Sequence, residues 1–466
     1  MKTIKGSHII IFVLISLLIS GCTSGEPEPS ALDPTSIPEV EDSPQEIDEP
    51  EAVSPFTIQA EEGLKDPISL LYNAYFDGEL PFFVEENPDL LVSLPEDNLG
   101  IHDPIPATFL PDGVLTKLGK QNEIDGFIDF ALSPDGQEIL IEGNYLPATL
   151  NLIDQAGNDV EIQLPVRRVL SAYGPATAII YTIDGEDRFV SASYLGARDP
   201  LGSSVMEKID PRFPDIKGDE IYSQSVFSIE QAATLDPDLI IANARSAWLE
   251  SAAELDIPIF LVDAESPERL KEAVSLTGQV FGPHSTARAQ AWIRYFDEVE
   301  AQLVDQTSEV PREERTKVLF TGTEPLRVVS GDMFQTFIIE SAGGVSVSSE
   351  LGGYWNDVNL ETVVLWAPDV IIVPPYGGAS VEAITDSTEW QILDAVKAGK
   401  VYRMPKLVVP WDTPAPDTVL GMVWMAQRLY LQGAPFDCSQ ETEFFYRTFY
   451  DYQITDEELG KICSFD

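Results

Sequence analysis

The 466-residue chain reads as an α/β protein with two similar lobes joined by one long α-helix and an extra N-terminal mixed or β-rich region. Three observations lead there. Short β-branched runs alternate with helical stretches from about Leu152 onward, which argues for parallel sheets buried on both faces. One helix-to-strand unit occurs twice, and a long amphipathic stretch lies between the two copies.

At the N-terminus, Lys2 and Lys5 precede a continuous apolar run, Ile9 to Ile19, followed by Ser20-Gly21-Cys22. This is the layout of an export signal, and the run is too short for a membrane span of about 20 residues. Ile19-Ser20-Gly21-Cys22 resembles the lipobox of prokaryotic lipoproteins, in which cleavage leaves the cysteine lipid-modified. A plain secretory signal with an incidental cysteine is the alternative. Residues 1–22 are therefore expected as signal, with Cys22 as the lipidation site and the protein outside the cytoplasm, anchored to the cell membrane. With Cys22 so committed, Cys438 and Cys463 remain as an even pair in an oxidising compartment. A disulfide between them is expected; two buried thiols are the alternative.

Residues 23–62 hold twelve Asp and Glu, many Pro and Ser, and no Lys or Arg. So little apolar surface cannot offset ordering entropy, and the segment is expected to be a disordered tether. Residues 63–150 mix apolar clusters with turn signals. Phe127 to Phe130 and Glu138 to Ile141 are expected as strands flanking a turn at Pro134-Asp135-Gly136, in a small accessory domain of unassigned role.

The strands that follow are expected at Arg168-Val169-Leu170, Leu239 to Ile241, Ile259 to Val262, Lys317 to Phe320 and Val370 to Val373. Ser228-Ile229-Glu230 leads through a helical stretch to Pro237-Asp238-Leu239, and Asn359-Leu360-Glu361 leads likewise to Pro368-Asp369-Val370. In each copy a capping residue opens the helix, a glutamate sits in its first turn, and a proline stops it before a strand. Between them, Ala289, Trp292, Phe296, Val299 and Leu303 fall at helical spacing. Boundaries of 151–284, 285–310 and 311–466 are expected for the N-terminal lobe, connecting helix and C-terminal lobe, each lobe Rossmann-like.

This arrangement resembles the extracytoplasmic substrate-binding lipoproteins of iron-siderophore, haem and cobalamin ABC importers. The resemblance begins at Asp154 to Val160 and Pro165 to Val169. It continues through both repeats and Ala342-Gly343-Gly344 to Trp411, Pro414-Ala415-Pro416 and Leu420 to Trp424. It implies capture of a metal chelate between the lobes and delivery to a permease and its ATPase by a monomer with no cofactor of its own. It also implies that Glu230 and Glu361, one per lobe, pair with permease arginines; first-turn helix electrostatics alone is the plainer account of both. The acidic tether and residues 63–150 depart from the family pattern. A surface sensor or interaction protein on the same two-lobe fold is the rival reading.

Ligands of such folds bind outside the carboxyl ends of the strands. The candidate cleft residues are therefore Tyr173, Gly174, Tyr194, Arg198 and Arg245 in the N-terminal lobe, and Asp332, Phe334, Tyr376, Trp411 and Asp412 in the C-terminal lobe. Aromatic and arginine side chains suit a flat or anionic chelate; packing at the hinge is the alternative for Tyr173 and Trp411. The three histidines, His8, His102 and His284, are too few and too scattered for direct transition-metal capture.

Charge narrows the partners. Lys and Arg number 28 against 78 Asp and Glu, a net charge of −50, which excludes nucleic acid and argues against docking on anionic lipid through a basic patch. From Gly63 onward 66 acidic and 26 basic residues remain, so the folded body itself carries −40. An anionic ligand would need a locally positive cleft, for which Arg198, Arg245 and Arg327 are the candidates. No Gly-x-Ser-x-Gly, His-Glu-x-x-His, phosphate-cradling glycine loop or Cys-x-x-Cys occurs, so an enzyme is not expected.

Overall fold

The computed structural model describes residues 54–96, 99–193, 200–216, 218, 226–430 and 434–464. The expected signal, Cys22 and most of the expected tether lie outside the described residues, as do Tyr194 and Arg198. The end of that tether does not match expectation: Phe56 and Ile58 are buried core residues, and β1 (Thr57–Ala60) lies inside a sheet. Acidic composition masked a short alternating apolar pattern, Phe56, Ile58 and Leu64, which is long enough to seat one strand and a turn.

That sheet also contains β2 (Phe82–Phe83), β3 (Leu90–Ser93), β4 (Ala107–Leu110) and β5 (Gly113–Lys117), in the order β2-β1-β3-β5-β4. Three helices pack on it: Lys65–Tyr75, Asn122–Leu132 and Pro134–Glu142. The last two correct the strands expected at 127–130 and 138–141. Ile124, Phe127 and Ala131 are buried at helical spacing, and Pro134 stands at the first helical position behind Ser133, whose Oγ accepts the Gly136 N–H. Pro-Asp-Gly here starts a helix rather than a hairpin turn. The region has its own apolar core, including Phe56, Tyr72, Phe109 and Phe127.

A hairpin of β6 (Thr149–Ile153) and β7 (Asp159–Gln163) precedes the N-terminal lobe. That lobe is built on β8 (Val169–Ser171), β9 (Phe189–Ala192), β10 (Leu239–Asn243) and β11 (Ile259–Val262), all parallel in the order β11-β10-β8-β9. The C-terminal lobe repeats the plan with β12 (Lys317–Phe320), β14 (Val345–Ser346), β16 (Val370–Val373) and β17 (Val401–Arg403), ordered β14-β12-β16-β17 and again parallel. A small ribbon pairs β13 (Arg327–Val328) with β15 (Asn356–Asp357).

The repeated unit has the same anatomy in both lobes. Helices Ile229–Leu235 and Leu360–Trp366 are seven residues each, capped by Ser228 and Asn359, and both end on a left-handed residue, Asp236 or Ala367. The Pro-Asp that follows has a structural purpose. Asp238 accepts the backbone N–H groups of Arg167 and Arg168 at 2.8 and 3.0 Å, and Asp369 accepts that of Lys317 at 2.9 Å. In each lobe this aspartate fixes the start of the neighbouring parallel strand, β8 or β12.

The connecting helix runs from Pro283 to Thr307, 25 residues and about 37 Å at 1.5 Å per residue. It buries Ala289, Trp292, Tyr295, Phe296, Val299 and Leu303. The N-terminal region packs against it through β4, and Gln137 donates to the Phe281 carbonyl at 3.1 Å. Tyr295 donates to Glu441 Oε2 at 2.7 Å, and His102 lies 3.4 Å from the same carboxylate. Cys438 and Cys463 are joined by a disulfide that ties helix Cys438–Phe449 to the end of helix Asp456–Ile462. No helix among the described residues is long and apolar enough to cross a membrane.

Candidate functional site

Parallel strands of each lobe end at loops carrying polar and aromatic side chains, and two of these loops meet. Arg245 follows β10. Its backbone N–H donates to Asn243 Oδ1 at 2.9 Å, and the buried Asn243 amide donates to the Val262 carbonyl at 3.0 Å. This bracing aims Arg245 at the loop after β11, where its guanidinium meets Glu265 at 2.5 Å and approaches Asp263 at 4.0 Å. From the other lobe, the Tyr354 hydroxyl donates to Glu265 Oε2 at 2.7 Å. Tyr173, at the end of β8, is nearly buried behind this group.

Electrostatics follow from the arrangement. Burial and the hydrogen bond to Glu265 push the Tyr354 phenol up to about 12. Burial, reinforced by the Glu265 charge, raises the Tyr173 phenol far above its ordinary value. Burial works against the Arg245 charge, yet Glu265, Tyr354 and Asp263 hold it above the usual arginine value. Both phenols are neutral and Arg245 is charged at physiological pH.

The C-terminal side is shaped by the loop that carries Tyr354. Asp332 accepts the Gly353 N–H at 2.7 Å, so its carboxylate is committed to holding that loop. Trp355 lies over Gly322 at the end of β12, where any Cβ would stand 2.8 Å from the indole ring; only glycine permits this approach. Tyr376, after β16, donates to Asp412 Oδ2 at 2.6 Å, and Gln335 donates to the same oxygen at 3.4 Å. Burial pushes Asp412 up to about 6, against the lowering effect of these two donors.

Four of the expected cleft residues, Gly174, Phe334, Trp411 and Asp412, are interior. Phe334 is buried at the first turn of helix Phe334–Ser341, edge-on to Phe337. Trp411 and Asp412 have no exposed surface, so their side chains are interior packing and hydrogen-bonding groups. Gly174 is also buried, at the start of helix Gly174–Thr182. Arg327 is half-buried on β13, and among the described residues it makes no ion pair. Glu230 and Glu361 are exposed at matching positions of the repeated helices.

Asp263, Glu265, Tyr354 and Trp355 were not among the residues expected from sequence. Asp263 and Glu265 obey the rule used for the others, lying just beyond a strand. Tyr354 and Trp355 carried a weaker signal, two aromatics following Gly352-Gly353, because β14, only two residues long, is not announced by a β-branched run.

The model of the periplasmic binding protein family matches residues 217–407, from the N-terminal lobe across the connecting helix into the C-terminal lobe. Over those residues the chain is similar to the periplasmic binding proteins. A molybdate-binding protein, MolA, of Haemophilus influenzae is 23% identical over 247 residues, which are 48% of this chain and 70% of that protein. A vitamin B12-binding protein of Yersinia pestis is 28% identical over 197 residues, 42% of this chain and 63% of that protein, so slightly under two thirds of its length is spanned. A periplasmic solute-binding protein of Veillonella parvula superposes with a TM-score of 0.60 at 25% identity, covering 68% of this chain and 97% of that structure. Almost all of that structure's fold is therefore matched within this chain.

Proposed function

We propose that this protein is a periplasmic binding protein, the solute-binding component of an ABC importer, and takes a metal chelate in the interlobe cleft. Iron-siderophore, haem and corrinoid complexes are the candidate cargo, passed to a membrane permease and its ATPase by a monomer held at the membrane through lipid on Cys22. The observation that carries the reading is the meeting of Arg245, Glu265 and Tyr354 at the strand ends of both lobes. A ligand entering there must part a carboxylate from a phenol, and Tyr173, Tyr354 and Trp355 offer aromatic faces around it.

Arg245 is neutralised by Glu265, with Asp263 close by, which supports a neutral or cationic chelate over a strongly anionic one. Exposed Glu230 and Glu361, one on each lobe, support a two-point contact with permease cations. An oxyanion is the second reading, favoured by the similarity to a molybdate-binding protein.

Calorimetric titration of the purified protein with cyanocobalamin, a ferric siderophore, haemin and molybdate separates these. Micromolar or tighter binding of one chelate, weakened by Glu265→Ala, is the expected result. Binding of molybdate alone would overturn the chelate reading.

A further inference from the structure

A cavity of about 360 Å³ lies between the N-terminal region and the connecting helix, and none of its lining residues belongs to the interlobe cleft. One wall comes from Pro106, Ile141, Leu146 and Pro147, the other from Pro283 and Ala287 at the start of the connecting helix. The volume is that of about a dozen waters at ~30 Å³ each, and it falls within the usual range of small-molecule sites. Prolines have no N–H to satisfy and a fixed φ, so walls built from them are apolar and rigid before any ligand arrives.

Two charged residues line the cavity, Arg294 and Glu96, and they do not pair with each other. Arg294 projects from the connecting helix and, among the described residues, makes no ion pair. In a body with 66 acidic and 26 basic residues from Gly63 onward, Arg294 gives this cavity a cation that no neighbouring carboxylate among the described residues neutralises. Glu96 is exposed on the loop after β3.

We propose that this cavity is a second binding site, for a small amphiphile with an apolar body and one acidic group, the acid paired with Arg294. Both the N-terminal region and the helix joining the lobes contribute walls, so the occupant clamps one to the other beside the Gln137–Phe281 hydrogen bond. The site is independent of what the cleft binds.

The test uses 8-anilinonaphthalene-1-sulfonate as the acidic amphiphile and N-phenyl-1-naphthylamine as its neutral counterpart, titrated by fluorescence into the full-length mature protein. One saturable sulfonate site is expected, with the neutral probe at least tenfold weaker. Arg294→Glu, an exposed change, should weaken the sulfonate at least tenfold, and Ala287→Trp should abolish its binding by filling the cavity. Less than a tenfold effect of Arg294→Glu, equal affinity for the two probes, or full binding by a folded Ala287→Trp protein overturns the proposal. If Ala287→Trp does not fold, Arg294→Glu and the neutral probe decide.

Discussion

Glu265 of the N-terminal lobe accepts the Tyr354 hydroxyl of the C-terminal lobe at 2.7 Å, while its other oxygen meets Arg245 at 2.5 Å. The carboxylate therefore belongs to both lobes. Because the pair is partly exposed, the interlobe bond should contribute about 1 kcal/mol. A double-mutant cycle of Glu265→Ala and Tyr354→Phe, read by denaturant unfolding, should give a coupling of about 0.5–1.5 kcal/mol. Small-angle scattering of Tyr354→Phe should show a slightly larger radius. A coupling near zero would mean that the lobes do not meet through this pair in solution.

The two acidic positions of the repeat sit in different surroundings. Asp238 and Asp369 hold backbone N–H groups at the start of neighbouring strands, so Asp369→Ala should cost about 1 kcal/mol of stability. Glu230 and Glu361 are exposed in the first turns of short helices, and Glu→Ala there should cost at most about 0.5 kcal/mol each. The Glu230→Ala, Glu361→Ala double variant should keep ligand affinity and lose uptake by whole cells. Normal uptake by that variant would return both glutamates to helix electrostatics alone.

Stability should rise as pH falls from 7 toward 5. Asp412 and Asp417 are fully buried, and burial pushes each up to about 6, against the lowering effect of Tyr376 and Gln335 on one and of Tyr446 and Tyr450 on the other. The native state thus binds more protons than the unfolded chain between about pH 4 and 6, and stability declines as pH rises through that window. A shift of this size corresponds to about 2–3 kcal/mol per group. Below about pH 4 the trend reverses. Hydrogen bonding to His284 holds Asp184 near 2, and Glu458 is held near 2 by Lys208 and Thr455 although its burial works the other way. Unfolding midpoints measured from pH 3 to 8 should therefore peak near 4–5. Asp412→Asn should flatten the fall above the peak; a profile parallel to wild type would show that Asp412 does not titrate there.

The lobes and their connector were legible because their signals are local and periodic. β-branched runs marked the strands, and Ala289, Trp292, Phe296, Val299 and Leu303 marked the buried face of the helix. Phe127 to Phe130 misled because a short apolar run reads equally as strand or helix, and only the burial of Ile124 and Ala131 on the same face decides. The candidate site was legible from one side only. Position after a strand pointed to Tyr173 and Arg245, but what they face depends on how two lobes far apart in sequence meet. Tyr354 reaches Glu265 across 89 residues, and no spacing within either lobe announces it. Trp411 and Asp412 show the reverse: sequence position suggests exposure in a loop, whereas packing has turned both side chains inward.

The disulfide should matter for stability more than for binding. Cys438 and Cys463 are 25 residues apart, and closing a loop of that length removes unfolded-state entropy corresponding to about 3 kcal/mol. The bridge joins two C-terminal helices, one of which carries Glu441, the acceptor for Tyr295 on the connecting helix. Its loss should therefore loosen the C-terminal helices against the connecting helix while leaving Arg245, Glu265 and Tyr354 in place. The Cys438→Ser, Cys463→Ser variant should unfold at lower denaturant by about that amount and bind cargo within threefold of wild type. Reduction of the wild-type protein should reproduce the stability loss. A variant as stable as wild type would show that Cys438 and Cys463 are free thiols in the mature protein.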